Sequence, residues 1–120
     1  TRETFYGAIN YFVNTMQTAF PEVDLVFVTP TWRMNHEELG GASATIQPNA
    51  RNNFLSEFVD ALVERGEFYS IPTLDLYRTS GLSEENHANY FIDEVHPNSN
   101  GYELIGNTIS QFLIETYNEK

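Results

Sequence analysis

The chain has 120 residues and a formal charge of −11, from 17 acidic against six basic residues, with 41% apolar and 14% aromatic content. That balance suits one packed domain, argues against intrinsic disorder, and repels both the phosphate backbone of nucleic acid and an anionic membrane surface. With no cysteine there is no disulfide framework, thiolate metal site or cysteine nucleophile, and no run approaches the roughly 18 apolar residues of a membrane helix.

Thr1 to Thr4 read as the opening of a helix rather than a signal peptide. Phe5, Ala8, Ile9, Phe12, Val13, Met16 and Phe20 recur at three- and four-residue spacing, which predicts an amphipathic helix over residues 4–19, closed by Pro21. Val23 to Val28 is a short, nearly continuous apolar run rich in β-branched residues, as in an inner strand of a parallel sheet. Thr29 to Asn49 reads as a long loop carrying Trp32, Arg33, His36 and Gly40-Gly41; long loops in compact domains are often functional. Asn49 is placed to cap a second helix, whose stripe Phe54, Leu55, Phe58, Val59, Leu62 and Val63 is expected to stop at Gly66. A second strand is predicted from Phe68 to Leu76, confined by Pro72 to a sheet edge or a bulge. After a polar loop, Tyr90-Phe91-Ile92 leads into residues 93–100. A last helix then presents Tyr102, Ile105, Ile109, Phe112, Leu113 and Thr116 on one face. The alternation of helix and strand predicts an α/β fold with a parallel sheet between helices, although two strands are too few to complete one.

Asp93 and His96 are the candidate site residues. A serine hydrolase needs an imidazole to take the hydroxyl proton and a carboxylate to hold that imidazole in the right tautomer. Three residues apart, in a loop that enters a helix, Asp93 can meet one ring nitrogen of His96 while the other points outward. Pro97 restricts the backbone of His96, and Gly101, lacking a Cβ, lets the helix start lie against a neighbouring loop. An isolated Asp-x-x-His arises easily by chance, with the Asp capping a turn and the His on the surface. The flanking residues decide the reading.

The block from Phe91 to Tyr102, Phe-Ile-Asp-Glu-Val-His-Pro-Asn-Ser-Asn-Gly-Tyr, followed by Ile105-Gly106 and an apolar helix, resembles the closing block of the SGNH (GDSL-type) hydrolases. Val23 to Pro30 resembles that family's fourth strand and Ser70 to Leu76 its fifth. The resemblance implies a three-layer α/β/α sandwich of flavodoxin-like arrangement and a serine esterase or deacetylase acting on O-acyl esters of small molecules or carbohydrates. It makes His96 the general base and Asp93 its orienter, and it implies no cofactor or metal. The family's Gly-Asp-Ser nucleophile block, glycine block and Gly-x-Asn-Asp block are absent from the sequence. Residues 1–120 are therefore expected to be the C-terminal half of one domain, inert alone, with the N-terminal half or a second copy of the chain as partner.

The remaining residues carry weaker signals. Ser43, after Gly40-Gly41-Ala42, reads as a loop residue rather than a nucleophile. His36 and His87 read as solvent-facing, and Glu37-Glu38 and Glu84-Glu85 as solvated surface. Trp32 and Arg33 are placed to line a substrate cleft, with packing under the long loop the equal alternative for Trp32, and Asp75 reads as a turn or cap. Two rival functions stand beside the esterase. One is a non-catalytic carbohydrate-binding or virion structural module on the same scaffold. The other is a flavodoxin-like nucleotide domain, which lacks support because no phosphate-cradling glycine loop follows either strand.

Overall fold

The computed structural model describes residues 2–34 and 54–118. Helix α1 (Arg2–Ala19) matches its predicted span, and its buried Ile9 and Val13 lie four residues apart on one face. Strand β1 (Phe27–Val28) runs parallel to β2 (Thr73–Leu74), with Phe27 opposite Thr73 and Val28 opposite Leu74. The expected strand over 23–28 is thus cut to its last two residues. The Phe27 N–H donates to the Pro72 carbonyl (2.9 Å) and the Thr29 N–H to the Leu74 carbonyl (3.0 Å). Among the described residues no strand pairs with the other edge of β1, so nothing there extends the ladder toward Val23.

Helix α2 (Leu55–Tyr69) carries Val59 and Ala61 into the core. The Glu57 carboxylate accepts from the Phe54 N–H (3.2 Å) at its start; the expected cap, Asn49, lies outside the described residues. Two expectations are corrected here. The helix runs through Gly66, and Phe68-Tyr69 form its last turn instead of opening a strand. It ends at Ser70, which sits in the left-handed region at φ 56°. The Ser70 N–H donates to the Glu67 carbonyl (3.2 Å) and the Ile71 N–H to the Gly66 carbonyl (2.9 Å), the paired bonds of a Schellman motif. Gly66 is there for packing, because a Cβ at this position would overlap the Thr73 side chain of β2.

Past β2, Asp75 caps the short helix α3 (Leu76–Thr79), accepting from the Arg78 N–H (3.1 Å), as its cap reading predicts. Helix α4 (His87–Tyr90) follows, then the long helix α5 (Ser99–Tyr117). Single-turn helices carry too little periodicity to stand out in sequence, so α3 and α4 read only as loop. Ile9, Val13, Phe27 and Ile71 form one core, where α1 and α2 meet the sheet. Trp32, Leu82 and Phe91 form a second, against which Leu104 and Ile105 of α5 pack. Among the described residues the fold is a helix-dominated α/β arrangement with a two-stranded parallel sheet. No described helix is long and apolar enough to cross a membrane.

Candidate functional site

The second core fixes the segment from Tyr90 to Gly101. Phe91 is buried against Trp32, their rings edge-on at 6.4 Å, and bridges antiparallel to Pro97. On either side of that bridge the Asn98 N–H donates to the Tyr90 carbonyl and the Ile92 N–H to the His96 carbonyl, both at 2.8 Å. Asn98 is also the N-cap of α5: its Oδ1 accepts from the Gly101 N–H (3.0 Å), while its Nδ2 donates to the Asn89 carbonyl (3.0 Å). Gly101 is buried, and a Cβ there would overlap the Tyr90 carbonyl oxygen and come to 2.9 Å from Pro97 Cβ. The close approach expected at this glycine is present. The Met34 N–H donates to the Glu94 carbonyl (3.0 Å), tying the turn to the chain that leaves the carboxyl end of β1.

Within this frame Asp93 and His96 meet. Asp93 Oδ1 accepts from the backbone N–H of Val95 and of His96, both at 2.8 Å. The His96 Nδ1 lies 2.8 Å from Asp93 Oδ2 and 3.0 Å from Oδ1. The two amides, followed by the imidazole, stabilise the carboxylate and lower its pKa from 3.8 to about 2. At neutral pH the carboxylate is ionised, which favours the proton on Nδ1 and leaves Nε2 as the nitrogen able to accept one. Among the described residues Asp93 is the hydrogen-bond partner of this ring, which is 66% exposed. The arrangement holds an oriented base at an open surface.

The other candidates are dispersed. Trp32 is buried in the second core, so it packs there instead of lining a cleft, and Arg33 donates from Nη1 to the Met34 carbonyl (3.0 Å). The expectation for His87 is corrected. Its ring stacks on Phe91 at 4.6 Å and lies edge-on to Trp32 at 5.9 Å, and its buried Nε2 has no hydrogen-bond partner among the described residues. The signal is the four-residue spacing of His87 and Phe91: the Phe91 N–H donates to the His87 carbonyl (3.0 Å), closing the single turn of α4. Glu84 and Glu85 are exposed. His36, Glu37, Glu38, Gly40, Gly41 and Ser43 lie outside the described residues. Among the described residues no group of three His, Asp or Glu side chains is disposed to hold a metal.

No protein-family model and no curated protein matches the chain. Solved structures do match it. A protein from Lactobacillus plantarum, solved as a structural-genomics target, is 26% identical with a TM-score of 0.77, over 94% of this chain and 54% of its own. A second crystal structure is 31% identical with a TM-score of 0.79, over 92% of this chain and 52% of its own. The fold is shared, and the chain spans about half the length of the solved structures that it matches.

Proposed function

We propose that this chain supplies the base and its orienter to an SGNH-type serine ester hydrolase. The observation that carries the reading is the contact of 2.8 Å between His96 Nδ1 and Asp93 Oδ2, in a turn whose backbone independently fixes the carboxylate. In this reading the remaining half of a three-layer α/β/α domain contributes the nucleophilic serine and the oxyanion-hole donors. The coverage of about half of each matched solved structure agrees with that division. His96 Nε2 takes the serine hydroxyl proton as the oxygen attacks the acyl carbon. It returns that proton to the departing alkoxide, giving the free alcohol and an acyl-enzyme. Water repeats the sequence and releases the acid. Asp93 stays ionised throughout and holds the imidazolium.

Hydrolysis of p-nitrophenyl acetate tests the assignment, in the protein that carries this chain together with its other half. Replacing His96 by Ala should lower kcat roughly 10⁴-fold or more, as loss of a triad histidine does. The 120-residue chain alone should show no turnover above a His96→Ala control, and fluorophosphonate should leave it unlabelled. Full activity in the His96→Ala protein, or labelling of a serine in the isolated chain, overturns the reading.

A further inference from the structure

Ile92 is 75% exposed, yet it sits beside the buried Phe91 in a segment fixed by backbone hydrogen bonds. The bridge between Phe91 and Pro97 makes Ile92 and His96 the next opposed pair, joined by the bond of 2.8 Å from the Ile92 N–H to the His96 carbonyl. Opposed residues of an antiparallel pair project to the same face, with Cβ atoms about 5 Å apart. Exposure alternates as that geometry requires. Phe91 is buried and Pro97 half-buried on one face, while Ile92 and His96 are both exposed on the other. That register puts Ile92 and His96 on the same exposed face of the turn.

We propose that Ile92 is the wall against which the alcohol half of the ester lies, so that the substrate carries an apolar alkyl or aryl group next to its ester oxygen. The inference rests on the hydrolase reading above and deepens it. In acyl transfer the imidazolium must deliver its proton to the leaving oxygen as the carbon–oxygen bond breaks, which places the alcohol group, rather than the acyl chain, nearest this ring. A side chain sharing the face of His96 then contacts the first carbons of that alcohol. Isoleucine offers only dispersion and the release of water there, with no hydrogen bond for a hydroxyl. Selectivity should accordingly rise with the apolar area of the alcohol and ignore the acyl group.

The test compares kcat/KM for hexyl and methyl acetate, whose alkoxides leave with similar ease, in the complete protein. The hexyl-to-methyl ratio should be about tenfold in the wild type, the discrimination typical of a few methylenes on an apolar surface. It should fall to within about twofold of unity in Ile92→Ser and be retained in Ile92→Leu, because shape and apolarity set it. The ratio for acyl chains, methyl hexanoate against methyl acetate, should not change in either variant. If turnover depends on His96 but Ile92→Ser leaves the hexyl-to-methyl ratio intact, the wall assignment is overturned and the hydrolase reading stands. A shift in the acyl ratio instead places Ile92 on the wrong side of the ester and likewise overturns it. If no ester is hydrolysed, or turnover is indifferent to His96→Ala, both fall together.

Discussion

Asp93 accepts from two backbone amides and from an imidazole, so one carboxylate sets both the shape of the turn and the orientation of His96. Its pKa, lowered from 3.8 to about 2, makes this arrangement pH-dependent in a defined direction. Because the folded value lies below the unfolded one, the stabilisation is fully present above about pH 3.8 and is lost as the pH falls through about 2. The Val95 and His96 amide resonances should therefore titrate together with a midpoint near pH 2, followed by NMR in acid. A midpoint at the ordinary carboxylate value would show that the amides do not bond Asp93 in solution. The meeting of Asp93 with His96 and the tight approach at Gly101 were both legible in sequence, since spacing and residue type dictate them. Half-burial of the His87 ring was legible only in part: its spacing to Phe91 is local, but Trp32, which completes its environment, is distant in the chain.

At the scale of elements, α1, α2 and α5 were readable because each carries several turns of apolar periodicity. The error over residues 66–72 has one cause. A glycine after Arg65 reads as a helix stop, but Gly66 serves to admit Thr73, and the true stop is a serine in a conformation that favours glycine. The left-handed conformation costs a residue with a Cβ roughly 1–2 kcal/mol, part of which a glycine would return as extra entropy of the unfolded chain. Ser70→Gly should stabilise the fold by about 0.5–1 kcal/mol while keeping both Schellman bonds. Urea denaturation is the measurement, with a raised midpoint at unchanged slope as the expected result. A lowered midpoint would mean that the Ser70 side chain contributes more than its backbone strain costs.

Considered whole, the molecule leaves apolar surface open. Phe12, Phe20 and Val23 are exposed at and beyond the C-terminal half of α1, and a cleft of about 560 Å³ bordered by Leu74, Thr108 and Phe112 separates β2 from α5. The edge of β1 that no described strand pairs with is a template for another strand. A charge of −11 opposes self-association, and salt screens that opposition with a Debye length of about 10 Å at 0.1 M. Light scattering on the 120-residue chain should show a mass above the monomer that grows as sodium chloride rises, with slow amide exchange at Val26 and Val28 in the associated form. A monomer at all salt concentrations, with those amides already protected, would refute edge pairing. Among the described residues, the hydrogen bonds that shape the Asp93–His96 turn run almost entirely within residues 89–101, with the Met34–Glu94 bond the long-range exception. In kinetic language, the hydrogen bonds that join Asp93 to His96 form at very low contact order, whereas the packing of Phe91 on Trp32 that anchors the segment requires long-range loop closure. Under the hydrolase reading, the nucleophile comes from the other half of the domain and reaches this turn by a longer loop closure, so that step should limit the rate at which a working site appears.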